Sequence, residues 1–475
     1  MNWRRKSTPG NRAGRRGPAR APHVLILVQN MSVPLDRRVW MECLTLVDGG
    51  YRVSVICPKG PGDRARETLA GVRIRRYAPP KPARGLGGLV YECVYSWLRT
   101  ALVSLRIYTA DPFDVIQACN PPDTFFALAL AYKAVGVHFV YDQHDLCPEI
   151  FRSRFGRDDG MVLRMLLWLE GRTYRAADHV ISTNESYQRV ALGRGHKPED
   201  RVTVVRSGPD PSVMRAGTEH DDLRHGRDHL ACYLGIMGHQ DRVDLLVRAI
   251  DDYVHRRGRT DCHFALLGYG DCYDDLVALT GELGLEDWIT FTGQADLPTI
   301  DAYFSTASLG LAPDPKTVFN DVSTMNKVIE YMAYGLPVVS FDLAETAVSA
   351  GPAALLVDDD DPGAFAGAIA LLLDDPVRRG AMGRVGRDRV ENKLGWPNQV
   401  KPYLSVYDRL TGGVPTAAVP PLHLVISPTT PSTDFGPTGF GDTDVRIGSA
   451  SSGRSRLTPP SAASTTTTLT APVRQ

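Results

Sequence analysis

Between about residues 22 and 410 the chain alternates short β-rich runs with helical blocks, and it does so in two series. The first series has strand-like runs at 23–29, 52–57, 72–77, 114–118, 138–142, 179–183 and 202–206. A polar, charged stretch at 210–228 interrupts the rhythm. It resumes with runs at 230–235, 263–268, 289–292, 309–312, 337–341 and 354–357. Helical spacing fills the gaps: in 36–49, Val39, Cys43, Leu46 and Val47 share one side. Strands separated by helices pair through crossovers, which makes parallel sheets with helices on both faces. The predicted fold class is α/β, with two Rossmann-like doubly wound parallel-sheet domains at 22–206 and 207–395. A final helix at 396–410 stands outside the second rhythm.

The ends differ from this body. Residues 1–21 hold Arg4, Arg5, Lys6, Arg12, Arg15, Arg16 and Arg20 and no acid. This reads as a disordered, solvated start, with attraction to anionic lipid as the sharper alternative. The tail 411–475 is rich in Pro, Thr, Ser and Gly and is expected to be disordered, with one apolar patch at 422–426. Lys+Arg and Asp+Glu balance at 54 each, so no global charge points to nucleic acid. The first apolar run, 24–28, is too short for a secretory signal, and no run is long enough to span a bilayer. The 8 cysteines form no C-x-x-C pair and no zinc spacing; Cys57, Cys119 and Cys232 lie in apolar runs and read as buried reduced thiols. The expected location is the cytoplasm, soluble or peripheral at the inner membrane face. In 89–110, Val90, Val94, Trp97, Leu98, Ala101, Leu102 and Leu105 form a broad apolar stripe. It is expected to pack an ordinary amphipathic helix on its own sheet, with a membrane-surface helix as the lesser alternative. The helix at 161–176 carries the same ambiguity.

The first strand is followed by Gln29-Asn30-Met31-Ser32, not G-x-G-x-x-G, which disfavours a nicotinamide or flavin enzyme. No G-x-x-x-x-G-K-[ST] occurs, which excludes P-loop phosphoryl transfer. Gly268-Tyr269-Gly270 follows a strand, where glycines let a ligand approach the backbone; a plain turn explains it equally well. The densest constellation is 320–339. There a polar loop with Ser323 and Thr324 is expected to cap a helix bearing Asn326, Lys327 and Glu330. Lys327 would offer a mobile positive charge to a diphosphate, and Glu330, at i+3, would accept ribose hydroxyls; an exposed Lys–Glu pair is the plain alternative. In the first half, the strand at 138–142 runs into Gln143, His144, Asp145 and Glu149, polar groups at a strand's carboxyl end where open α/β sheets bind ligands. Asn120-Pro121-Pro122-Asp123 is expected to cap the following helix. Asp36-Arg37-Arg38 opens a helix near the same edge, as part of a site or as a salt-bridged helix start.

These motifs resemble the family 4 glycosyltransferases, retaining enzymes of the GT-B fold, over roughly 22–410. The carrying residues are Pro34-Leu35-Asp36-Arg37-Arg38-Val39-Trp40, His144-Asp145, the Gly235 loop with Val243-Asp244, Gly268–Gly270, Phe291-Thr292-Gly293, and Lys327-x-x-Glu330-Tyr331-Met332-Ala333-x-Gly335-x-Pro337-Val338-Val339. The resemblance implies two domains facing a cleft, with nucleotide diphosphate on the second, acceptor on the first, and the Trp396 helix crossing back. It implies that Glu330 binds the donor ribose, His144 lies beside the donor sugar and reacting centre, and Gly293 and Gln294 meet the base; our expectation adds catalytic roles for Lys327, at the leaving charge, and Asp145, at the His144 ring. The expected donor contacts are Gly238, Arg242, Gly268, Gly293, Gln294, Ser323, Thr324 and Asn326, and the expected acceptor-side residues are Asn30, Asp36, Arg37, Asn120 and Glu149. The resemblance implies no metal and no cofactor, a UDP- or GDP-sugar donor, and a saccharide or lipid-linked acceptor. The chain departs from the family pattern at Val322, where a first glutamate is usual, at Ile236 and Asp241, where Arg and Lys are usual, and at Asn30 and Met31, where glycines are usual. An inactive nucleotide-sugar-binding homologue, or another GT-B enzyme such as an epimerase or phosphorylase, is the alternative.

Overall fold

The structure is a computed structural model and describes residues 20–81, 85–358 and 361–413. The expectations for residues 1–19, for the tail beyond 413 and for its patch at 422–426 lie outside the described residues.

The first half contains strands β1 (His23–Leu27), β2 (Arg52–Pro58), β3 (Arg66–Leu69), β4 (Val72–Tyr77), β5 (Val115–Cys119), β6 (His138–Gln143), β7 (His179–Ser182) and β8 (Val202–Val204). Its helices are α1 (Arg37–Asp48), α2 (Gly85–Ala110), α3 (Phe126–Lys133), α4 (Cys147–Phe155), α5 (Met161–Ala176) and α6 (Glu185–Leu192). The sheet order is β3-β4-β2-β1-β5-β6-β7-β8. The second half contains β9 (His229–Leu234), α7 (Val243–Asp251), β10 (Cys262–Leu267), α8 (Tyr273–Glu282), β11 (Ile289–Gly293), α9 (Leu297–Thr306) and β12 (Leu309–Ala312). It continues through α10 (Asn326–Ala333), β13 (Val338–Phe341), α11 (Ala344–Ala350), β14 (Ala354–Val357), α12 (Pro362–Asp374) and α13 (Pro376–Arg389). That sheet runs β11-β10-β9-β12-β13-β14, all parallel. Two Rossmann-like α/β domains thus face a cleft. In each sheet the order reverses beside the first strand, β1 or β9, so both carboxyl edges there offer a ligand crevice.

Local chemistry sets many boundaries. Asp36, Asn184, Asp296, Asp361 and Asp375 each cap a helix by accepting a backbone N–H of its first turn. One departure from the expected all-parallel pattern is β3, which pairs antiparallel with β4 through Leu69↔Val72. The two-residue turn between them, Ala70 and Gly71, has φ of 46° and 82°, the geometry of a tight hairpin. The segment is short and largely exposed, so no apolar alternation marks it in the sequence. A second correction concerns 120–123. The N-cap of α3 is Phe125 and carries no side-chain cap bond, because Asn120 is committed elsewhere.

The last helix, α14 (Trp396–Thr411), leaves the second domain and packs on the first. Trp396, Tyr403, Val406 and Tyr407 are fully buried in one cluster with Val24, Val39, Cys43 and Val140. The Trp396 indole donates to Thr45 Oγ1 at 2.9 Å, and Tyr51 donates to Asp408 at 2.6 Å. Cys57, Cys119 and Cys232 are buried and free, as expected. No described helix is long and apolar enough to cross a membrane. Helix α2 does not place its whole stripe on the sheet: Trp97 and Ala101 turn inward, but Val90, Val94, Leu98, Leu102 and Leu105 are each more than half exposed.

Candidate functional site

On the first-domain side, β6 delivers His144. Side chains two apart on an extended run share a face, so Asp142, fully buried, reaches the His144 ring, with Nε2 and Oδ2 2.7 Å apart. The ring is therefore held by Asp142, whereas Asp145 had been expected to hold it. Arg38 of α1 enters the same cluster, donating from Nη2 to Asp142 Oδ1 at 3.1 Å and from Nη1 to Val205 O at 2.9 Å and Ser207 Oγ at 2.8 Å. Its Nε lies 3.1 Å from Glu42 Oε1 and 3.2 Å from His144 Nε2. One ring nitrogen cannot both donate to Asp142 and accept from Arg38; the shorter contact and the carboxylate's charge favour His144 Nε2–H donating to Asp142, with Arg38 Nε left as an ion-pair neighbour of Glu42.

Burial works against a charged imidazole, but the Asp142 charge and hydrogen bond prevail, and the His144 pKa is pushed up to about 9. Burial and the Asp142 charge push Glu42 upward, while Asp142, which burial would raise, is held well below the usual carboxylate range by His144 and Arg38. Gln117 completes the network. Its Nε2 donates to Asp142 Oδ2 and Glu42 Oε2, both at 2.7 Å, and its Oε1 accepts from Tyr407 and, at 2.7 Å, from Tyr403. Glu42, Cys119, Asp142 and His144 bring potential metal-ligand atoms within 4.8 Å of one another. Gln117 Nε2 and Arg38 Nη2 bond both Asp142 oxygens and Glu42 Oε2, while Glu42 Oε1 is buried without a hydrogen bond, 3.1 Å from Arg38 Nε. Asn120 fixes the approach: its Oδ1 accepts from the backbone of His144 at 2.7 Å and Asp145 at 3.1 Å, and its Nδ2 donates to Asp145 O at 2.7 Å. The Asp145 carboxyl is raised to about 6 by burial.

On the second-domain side, α10 is locked against its sheet by Tyr331, whose hydroxyl accepts from Leu234 N at 2.7 Å and donates to Leu311 O at 3.0 Å. Its N-cap is Met325, without a side-chain cap bond. Ser323 and Thr324 do not cap it: Ser323 is extended, its hydroxyl donates to Phe319 O at 2.7 Å and meets Tyr187 OH at 2.9 Å, and Thr324 Oγ1 accepts from Asn184 at 3.0 Å. Asn184 also donates to Val322 O at 2.9 Å. The polar loop is thus spent on docking the two domains through α6. Lys327 is not mobile. Its ammonium lies 2.6 Å from Asp314 Oδ1 and 5.0 Å from the Tyr233 ring centroid. Burial opposes its charge, yet Asp314 and Asp241 raise its pKa overall. Burial lifts Asp241 to about 6 despite the nearby lysine.

The remaining expected donor residues are placed as follows. Gly238 N donates to Asp241 at 3.0 Å, and Arg242 is paired with Asp244 at 2.9 Å. A Cβ at Gly268 would lie 1.8 Å from Gly235 O, and one at Gly270 2.5 Å from Met237 O, so these glycines let the 268–270 turn lie on the 235–238 loop. Gly293, in the left-handed region at φ 68°, accepts from Gly268 N at 2.9 Å; Gln294 and Asn326 are exposed. On the acceptor side, Asn30 is exposed after β1 and Asp36 is the α1 cap. Glu149 is tied to Arg194 at 2.6 Å, in an ion cluster with Glu170.

One contact joins the halves of the site. Arg37, 60% exposed, reaches across the cleft to Glu330, 9% exposed, with Nη2 and Oε1 2.9 Å apart. Arg38, the next residue, lies on His144. Two consecutive arginines of α1 therefore bring Glu330 and His144 to one cleft at the carboxyl edges of both sheets. Asp142, Gln117, Asp314, Asn184 and Tyr187 escaped the sequence reading. Only Asp142 left a signal there, as the last residue of a strand ending in His144.

Residues 35–208 match a family described as "Glycosyl transferase 4-like domain", and residues 228–375 one described as "Glycosyl transferases group 1". D-inositol 3-phosphate glycosyltransferase 1 of Catenulispora acidiphila is 29% identical over 294 residues, 59% of this chain and 68% of the relative. D-inositol 3-phosphate glycosyltransferase of Thermobispora bispora is 26% identical over 306 residues, 61% of this chain and 70% of the relative. Among solved structures, sucrose-phosphate synthase from Thermosynechococcus elongatus aligns with TM-score 0.66 at 18% identity, over 83% of this chain and 100% of that one. Anabaena HepE in complex with UDP-glucose aligns with TM-score 0.59 at 16% identity, over 82% of this chain and 99% of that one. The chain is a protein of the glycosyltransferase GT-B fold, related to the 4-like domain in its first half and to the group 1 domain in its second.

Proposed function

We propose that the chain is a retaining glycosyltransferase, moving a sugar from UDP- or GDP-sugar to a saccharide or lipid-linked acceptor. The observation that carries the reading is the juxtaposition of Glu330 and His144 through Arg37 and Arg38. Glu330 accepts the donor ribose hydroxyls once Arg37 gives way. The acceptor oxygen bonds to the anomeric carbon as the bond to the diphosphate breaks, on the same face, and its proton passes to the leaving diphosphate oxygen. Protonated His144, fixed by Asp142, lies on the acceptor side and orients donor sugar and acceptor. Lys327 and the N–H groups of the α10 first turn stabilise the leaving charge once phosphate competes with Asp314. Closure of the two domains excludes water and protects the donor from hydrolysis. The protein works in the cytoplasm, at the inner membrane face when the acceptor is lipid-linked.

A second reading, a nucleotide-sugar-binding protein without transfer, is favoured by one observation: Asp314 and Asp241 surround the lysine nearest the α10 start. A thermal-shift panel of UDP, GDP and their sugars tests donor binding; a ligand at about 100 times its Kd adds about 2.7 kcal/mol. Stabilisation by one nucleotide sugar, followed by its turnover with extracted lipid, is the expected result. Stabilisation without turnover selects the second reading. No stabilisation by any member of the panel removes both.

A further inference from the structure

Helix α2 is apolar on two faces: Tyr95, Trp97, Ala101, Val103, Ile107 and Tyr108 pack on the core. It turns Ser96, Thr100 and Ser104 inward, at 3%, 1% and 0% exposure, and turns Tyr91, Val94, Leu98, Leu102 and Leu105 outward, at 46–53%. The outward residues recur every three or four positions and make one stripe about 21 Å long. The face continues on α5, where Met161, Met165 and Trp168 are 79%, 46% and 58% exposed. The two helices join one core cluster with α3 between them: Tyr132 of α3 packs tilted against Tyr108 of α2, and Phe126 of α3 meets Trp168 edge-on. A soluble surface does not ordinarily present so many neighbouring large apolar side chains.

The charges around this face decide what covers it. Helix α2 carries Arg99 and Arg106, both exposed, and α5 carries Arg164, Arg172 and Arg175, with Arg172 over the Trp168 ring at 5.9 Å. The acids of these helices are Glu92 and Glu170; Glu170 is buried against Arg194 at 2.7 Å. Asp158 and Asp159 lie at the start of α5, Asp158 3.4 Å from Arg152. A second copy of this face would set arginines against arginines. An anionic bilayer accepts the apolar stripe below its headgroups and pairs the arginines with lipid phosphates.

We propose that the α2–α5 face of the first domain docks on an anionic lipid surface. The inference deepens the glycosyltransferase reading and rests on it only for the choice of acceptor. A groove of about 290 Å³ lined by Cys93, Val94, Trp97, Leu98 and Thr124 opens along the same stripe. Thr124 Oγ1 is buried there without a partner, four residues after the Asn120 that holds the His144 loop. On the glycosyltransferase reading, a first domain docked in this way meets a lipid-linked acceptor at the bilayer surface.

The test is flotation of the full chain with phosphatidylcholine vesicles with and without phosphatidylglycerol. The wild type is expected to float with phosphatidylglycerol vesicles only. Leu102→Asp with Leu105→Asp, outside the groove, is expected to weaken this about tenfold or more. Arg99→Gln with Arg106→Gln is expected to weaken it by a smaller factor that vanishes at high salt. The donor-induced thermal shift is expected to be unchanged in both variants, which separates loss of docking from loss of fold or donor site. Vesicle binding that survives the Leu102/Leu105 pair overturns the proposal, as does a wild type that never floats. A dimer that the same pair splits into monomers, with no flotation, assigns the face to a second copy instead.

Discussion

The two sides of the cleft handle buried charge differently. On the first-domain side both Asp142 oxygens are bonded, and Arg38, Gln117 and the tyrosines of α14 leave the Asp142 carboxylate and the His144 ring one arrangement, although Glu42 Oε1 beside them is buried without a hydrogen bond. On the second-domain side Asp314 Oδ2 is buried without a partner, Lys327 is held by that same carboxylate, and Glu330 is paired with a largely exposed arginine from the other domain. The first side is preorganised, so its cost of ordering falls in folding. The second side holds charges on exchangeable partners, so a bound anion or ribose has something to replace. A site that must admit and release a nucleotide at every turnover needs that asymmetry.

The largest effect is expected at Asp142. Asp142→Ala leaves Arg38 and His144 buried without their counter-charge and should cost about 3–5 kcal/mol in urea unfolding; a loss below 1 kcal/mol would end the claim that this side is preorganised. Next is Glu330→Ala, expected to weaken donor binding by about 1.5–3 kcal/mol, the range of a hydrogen bond to a charged group, with the unfolding midpoint little changed. Unaltered donor affinity in calorimetric titration would take Glu330 out of the donor site. The third concerns pH. His144 binds its proton more tightly when folded, with pKa about 9 against an ordinary 6.5, so its contribution is complete below about 6.5 and is lost as pH rises through 9. Urea midpoints measured across that window should fall with pH, and Asp142→Asn should flatten the slope. The smallest effect belongs to Arg37→Ala. An ion pair with one exposed partner contributes about 0–1 kcal/mol, so stability should hardly change while donor affinity rises by up to about fivefold. Weaker donor binding in this variant would make Arg37 a ligand of the donor rather than its competitor.

The strand–helix rhythm and the two series were legible because apolar periodicity is a local signal, whereas the crossing of the Trp396 helix was implied by the family resemblance alone. The edge strand β3 was not, since a short exposed strand carries no alternation to read. In the site, His144, Lys327 and Glu330 could be named from their motifs, but their partners could not. Asp142 lies beside His144 in sequence, yet its meeting with Arg38 and Gln117 spans three separate elements. Ser323 and Thr324 read as helix caps, since local spacing cannot register that α6 of the other domain claims their hydroxyls.

What the chain's order of residues determined alone is the sequence of elements and the kinds of side chain at their ends, because hydrogen-bond capping and hydrophobic periodicity act over a few residues. What tertiary structure decided is which charge neutralises which: Asp314 for Lys327, Arg37 for Glu330, Asp142 for His144. It also decided that α2 turns its leucines outward. Coulomb attraction and burial depend on distance in space, and those distances exist only once both sheets, their crossovers and α14 are assembled.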